Sequence, residues 1–113
     1  MTRRTATVNR ETAETTISVT IDLDGQGRYK VDTGNGMLDH LLAQLSRHGM
    51  MDLEVSAQGD SEVGWHHIVE DTAIALGQAL RQSVGDARGI TRMAHHVVPL
   101  DEALALVAVD FGG

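Results

Sequence analysis

Residues 15–23, TTISVTIDL, place the tightest limit on the fold: Ile17, Val19, Ile21 and Leu23 alternate with polar residues, so an extended segment has one apolar face. Such a strand must cover that face, and its partners are readable nearby. Residues 4–10 read as a short strand before it. Asp24-Gly25-Gln26-Gly27 supplies turn chemistry, and Arg28-Tyr29-Lys30-Val31 returns as a third strand, which predicts a hairpin with 15–23. Thr33-Gly34-Asn35-Gly36 then breaks the strand pattern, with Asn35 placed to cap a helix.

From there the period changes. Met37, Leu38, Leu41, Leu42 and Leu45 recur at helical spacing over 37–48, and Gly49 offers a stop. Residues 51–57, MDLEVSA, alternate again as a strand. A loop from Gly59 to Trp65 leads into a second helix ending at Gly85-Asp86, with Val69, Ala73, Leu76, Leu80 and Val84 predicted along its inner side. This order predicts an α+β fold with helices packed on one face of a mixed sheet. Residues 90–98 and 103–111 add an apolar strand pair around Pro99-Leu100-Asp101-Glu102. That pair needs a partner, in its own sheet or on a neighbouring molecule.

At 113 residues there is room for one domain, and with aromatic residues at 3% the core must come from Leu, Val, Ile, Ala and Met. A core of that kind gains from association with further copies. The net charge of −7 and nine scattered basic residues speak against nucleic acid, which is gripped by clustered Lys and Arg. A single phosphate on a small molecule needs far less. Without Cys there is no disulfide and no thiolate metal site. No segment reaches the roughly 20 apolar residues of a membrane helix, and the N-terminus lacks the apolar stretch of a signal peptide. The expectation is a soluble, cytoplasmic protein.

Chemistry concentrates in His66-His67-Ile68-Val69-Glu70-Asp71. Residues three and four apart share a helix face, so His66 stands over Glu70, and His67 over Glu70 and Asp71. Imidazoles and a carboxylate within one turn can hold a divalent cation. Neighbouring histidines diverge by about 100° on a helix and so can serve two different ions. A polar, solvated first turn favoured by the helix dipole accounts for the same residues. Asp39-His40 is a second candidate, since a carboxylate often orients a ligating imidazole from behind. Gln44 lies one turn beyond His40, as a substrate contact or a surface amide. His48 suits the negative end of the helix better than a metal. His95 and His96 point to opposite strand faces and receive no role.

Taken together, Arg10-Glu11-Thr12-Ala13-Glu14-Thr15, Thr33-Gly34-Asn35-Gly36-Met37-Leu38-Asp39-His40, Arg47-His48-Gly49, Gly59-Asp60, His66-His67-Ile68-Val69-Glu70-Asp71, Gly89-Ile90-Thr91-Arg92 and Pro99-Leu100-Asp101-Glu102-Ala103-Leu104 resemble the imidazoleglycerol-phosphate dehydratase family, lyases of histidine biosynthesis. Their order and spacing carry the resemblance, which runs along the whole chain. It implies a β-β-β-α-β-α unit of ribosomal protein S5 domain 2-like type, present in two fused copies with helices between sheets, in a large shell of identical subunits. Residues 1–86 then correspond to the first, metal-ligand-bearing repeat, and 87–113 to the opening strand pair of the second.

The resemblance further implies two Mn(II) ions held between repeats or chains, with His40, His66, His67 and Glu70 as ligands. It places Gln44, Glu14 and Asp101 at the substrate, and Arg92 at its phosphate. The implied reaction removes a proton from one carbon of imidazoleglycerol phosphate and a hydroxyl from the next, giving imidazole acetol phosphate. Metal coordination would favour an imidazolate that helps expel the hydroxyl, with Glu14 or Glu70 shuttling protons.

The sequence departs from the family after Phe111-Gly112-Gly113: a second Asp-His, a second His-His-x-x-Glu and the later basic residues are absent. Trp65 also stands where an acidic residue usually precedes the histidine pair. Two expectations follow. Either identical chains supply one another's missing ligands in a homo-oligomeric enzyme, or the chain is a truncated form that folds, binds metal or assembles without catalysing. An RNA-binding reading rests on fold analogy alone and meets the acidic charge.

Overall fold

The computed structural model describes residues 3–112 of the chain. Its elements run in the predicted order: β1 (Thr5–Glu11), β2 (Thr15–Asp22), β3 (Tyr29–Asp32), α1 (Gly36–Gly49), β4 (Asp52–Gly59), a short 3-10 turn at Ser61–Val63, α2 (His66–Val84), β5 (Met93–Leu100) and β6 (Ala103–Asp110). The chain divides into two units, Met1–Ser83 and Val84–Gly113.

In the first unit the alternation of residues 15–23 has the consequence its pattern demands. Ile17, Val19 and Ile21 are essentially inaccessible, facing Val8 of β1 and Leu53, Val55 and Ala57 of β4 across the sheet. Leu42 of α1 and Ile68, Ala75 and Ala79 of α2 complete the same cluster, so both helices cover one face of the sheet. Each fully buried Ile or Leu there is worth roughly 1.5–3 kcal/mol of apolar transfer. The sheet is mixed: β1 and β2 are antiparallel, β2 and β4 are antiparallel, and β3 runs parallel to β4.

The predicted β2–β3 hairpin is not formed, because β4 lies between the two strands in the order β1-β2-β4-β3. Asp52, the first residue of β4, accounts for this. Its Oδ1 accepts backbone N–H groups of Gln26 and Arg28, each at 2.9 Å, and the Arg28 guanidinium reaches Oδ2 at 3.1 Å. The 24–27 turn is therefore anchored on β4 and carries the chain past it. Hydrogen bonds from Gln26 and Arg28 hold the Asp52 carboxyl down at about 2. Buried Ser46 of α1 ties the same region together, its hydroxyl lying 2.7 Å from the Met51 carbonyl and 3.1 Å from that of Arg28.

Asn35 caps α1 as its position predicts, its side chain accepting from Leu38 N–H at 3.0 Å. The stop falls one residue later than expected: Gly49 is helical and Met50 takes the left-handed conformation, φ 56°. Of the expected α2 stripe, Leu76, Leu80 and Val84 are partly buried, whereas Val69 and Ala73 are exposed. The buried side is Ile68, Asp71, Thr72, Ala75, Ala79 and Ser83, with Leu76 and Leu80 at its edge. Small side chains let the helix lie close on the sheet, and Asp71 is accepted there because partners meet it.

The second unit is an antiparallel hairpin of β5 and β6, registered from Met93 opposite Asp110 to Leu100 opposite Ala103. Every residue of both strands is exposed.

Candidate functional site

The N-terminal turn of α2 carries two histidine–carboxylate pairs. His66 and Glu70 meet across one turn, Nε2 to Oε2 at 3.0 Å, as the four-residue spacing predicts. His67 does not share Glu70. Its ring turns away by an interplanar angle of 71° and directs Nδ1 at Asp60 Oδ2, 2.8 Å away. The two rings are thus separately held, in keeping with their divergence on the helix.

Glu14 joins this cluster from the turn between β1 and β2. Asp60 N–H donates to the Glu14 carbonyl at 3.2 Å, which stitches that turn to the end of β4. Gly59 makes the approach feasible: a Cβ there would come within 2.8 Å of Thr15 and 2.9 Å of both the Glu14 carbonyl and Ile68. Asp60, chiefly through its hydrogen bond and then its charge, raises the His67 pKa, with Glu14 and Asp71 adding to the effect. The Glu14 turn and the Asp60–His67 pair are thus joined through the backbone, although they lie far apart in the sequence.

Asp71, which spacing offered as a metal partner of His67, is engaged elsewhere. Thr15 donates its hydroxyl to Asp71 Oδ2 at 2.5 Å, and the Arg10 guanidinium stands 3.5 Å from Oδ1. It is 8% exposed and fastens α2 to the β1–β2 pair. Asp39 does not orient His40: its Oδ1 accepts from the backbone and hydroxyl of Thr33, at 2.9 and 2.5 Å, closing the loop into α1. His40 is exposed on α1. Gln44 is also exposed, and its Oε1 meets His48 Nε2 at 2.6 Å.

Trp65 connects the beginnings of the two helices, its ring lying against Gly34, where a Cβ would be 3.6 Å from it. A cleft of about 280 Å³ opens beside it, lined by Thr33, Ser56, Gln58 and Ile68 among others. Nevertheless, no group of three or more His, Asp or Glu side chains among the described residues could hold a metal ion. His40, His66, His67 and Glu70 are therefore not assembled into one centre by this chain. What it presents is a set of imidazole and carboxylate donors without thiolate, suited in kind to Mn(II), Fe or Zn.

In the second unit, Arg92 is paired with Asp110, Nε to Oδ1 at 2.6 Å and a terminal nitrogen to Oδ2 at 3.1 Å. Asp101 occupies the hairpin turn with φ 50°. Sequence reasoning missed Asp60 as the partner of His67 and Thr15 as the partner of Asp71. Only the Gly59-Asp60 step hinted at the first.

Relatives share this sequence along nearly all of its length. The family model of imidazoleglycerol-phosphate dehydratase matches residues 33–113. The imidazoleglycerol-phosphate dehydratase of Magnetococcus marinus is 59% identical over 107 residues, which is 95% of this chain and 54% of the relative. That of Gluconacetobacter diazotrophicus is 54% identical over 112 residues, 99% of this chain and 57% of the relative. Among solved structures, the Staphylococcus aureus enzyme superposes with a TM-score of 0.79 at 32% identity, covering 94% of this chain and 57% of that one. The Pyrococcus furiosus structure gives 0.76 at 33%, covering 93% and 55%. The chain spans a little over half the length of these relatives. On this sequence identity and shared fold, it belongs to the imidazoleglycerol-phosphate dehydratase family, a family of lyases.

Proposed function

We propose that the chain contributes half of the dehydratase centre that converts imidazoleglycerol phosphate to imidazole acetol phosphate in histidine biosynthesis, in the cytoplasm, as part of a homo-oligomer. The observation that carries the proposal is the Asp60–His67 pair beside His66–Glu70 at the start of α2, with the Glu14 carbonyl holding the Asp60 backbone. His40, His66, His67 and Glu70 would hold Mn(II), each centre being completed from a second repeat or chain. Bound there, Mn(II) would supply Lewis-acid charge that stabilises negative charge developing on the substrate imidazole.

The protein groups have separable tasks. Glu14, exposed on the turn whose backbone holds Asp60, takes the proton leaving carbon or returns one to the departing hydroxyl; Glu70 is the second carboxylate able to do so. Gln44 and Asp101 contact the substrate, and Arg92 receives its phosphate by exchanging Asp110 for it. The reading includes no nucleic-acid partner, in keeping with the net charge of −7 and with Arg4, Arg10, Arg28, Arg88 and Arg92 each standing beside an Asp. Among the described residues no helix is long and apolar enough to cross a membrane.

Calorimetric titration with Mn(II), combined with an assay on imidazoleglycerol phosphate, tests the reading. Binding with product formation is expected, and Glu14→Gln should keep the binding while slowing turnover by about 10²–10⁴-fold. Binding without any product would instead favour an assembling, inactive form. No binding would remove the metal centre altogether.

A further inference from the structure

The two histidines of α2 are secured in different ways. His66 is met by Glu70 of its own helix, whereas His67 is met by Asp60, which precedes the helix. Asp60 is itself fixed through its backbone. Its N–H donates to the Glu14 carbonyl at 3.2 Å, and its carbonyl accepts from Val63 N–H at 3.1 Å, the bond that begins the 3-10 turn. The carboxylate is thus presented at a set place beside the first turn of α2.

An ionised carboxylate can only accept, so the imidazole nitrogen facing it must carry the proton. With Nδ1 protonated, the neutral ring has its lone pair on Nε2, the tautomer that free histidine populates less. We infer that Asp60 is a positioning residue: by accepting from Nδ1–H of His67 it selects the ring's orientation and tautomer and turns the Nε2 lone pair outward as a donor to a divalent cation. This inference rests on the reading of His67 as a ligand. Carboxylates behind ligating imidazoles have this role widely, and their loss typically lowers metal affinity by about 10- to 100-fold.

The test uses nitrogen-15 NMR of the whole chain at alkaline pH, where the imidazoles are neutral, with His67→Gln identifying the His67 signals. In the unsubstituted chain His67 should show protonated Nδ1 and bare Nε2. In Asp60→Ala the ordinary Nε2–H form should predominate. Should Asp60→Ala fail to fold, Asp60→Asn serves, since an amide can accept from or donate to the ring and lets both tautomers populate. Mn(II) affinity by calorimetry should fall about 10- to 100-fold in Asp60→Ala. A His67 tautomer identical in all these chains overturns the inference, as does an unchanged Mn(II) affinity in Asp60→Ala. If the tautomer switches but even the unsubstituted chain ignores Mn(II), the proposed dehydratase centre fails, and Asp60 sets the ring without a metal to serve.

Discussion

Asp71 follows Glu70 directly, yet its side chain turns inward to Thr15 and Arg10 while Glu70 faces out to His66. A buried carboxylate is tolerable only when donors meet it, and removing it leaves those donors bare. Asp71→Ala should therefore cost about 1–3 kcal/mol, read from urea midpoints at neutral pH. The Thr15 hydroxyl first, then the Arg10 charge, hold the Asp71 carboxyl below its ordinary 3.8. Its contribution is thus full at pH values above that ordinary range and fades as pH falls through the lower folded value. The gap between the unsubstituted chain and Asp71→Ala should accordingly narrow in acid; a gap independent of pH would mean that Asp71 acts by packing alone. At this scale the His66–Glu70 pair was legible because its spacing is local. The Asp60–His67 and Thr15–Asp71 bonds join separate elements, and no periodicity announces them.

Among the elements, β2, α1 and the Asn35 cap were readable from a few neighbouring residues each. The place of β3 was not. Its strand character is local, but whether it pairs with β2 or lies beyond β4 depends on Asp52 gripping the 24–27 turn from 26 and 24 positions away. The inner face of α2 is hidden in the sequence for a related reason: Asp71, Thr72 and Ser83 are buried yet give no hydrophobic signal, while Val69 and Ala73 give one and are exposed. At the end of α1, Gly49 drew attention although Met50 makes the left-handed turn. Met50 is 57% exposed, so its side chain contributes little burial, whereas a non-glycine residue in that conformation costs roughly 1–2 kcal/mol. Glycine loses more chain entropy on folding, which offsets part of the gain. Met50→Gly should raise stability by up to about 1 kcal/mol, visible as a higher urea midpoint with unchanged slope, and a lower midpoint would show that Met50 packs after all.

At the scale of the molecule, each unit leaves apolar surface uncovered. Met37, Leu41 and Leu45 form an exposed stripe on α1, and in the hairpin Val98, Leu100, Leu104 and Leu106 are more than half exposed. Surfaces of this kind mark association more often than solvent contact. The donors tell a parallel story: among the described residues, His40 on α1 and the His66–Glu70 and Asp60–His67 pairs at the start of α2 make no three-donor group. If these are the ligands of the proposed centre, they would bind metal tightly only when a neighbour completes the set, so the proposal links metal to assembly, each strengthening the other. Sedimentation should then show the mass of the chain rising with Mn(II) and falling again when a chelator removes it. His40→Ala should abolish the rise by deleting a ligand from the proposed set. His48→Ala should leave it intact, because His48 pairs with Gln44 at the far end of α1. Mn(II) bound tightly to chains whose mass does not change would locate a complete centre within one chain and break the link between metal and assembly.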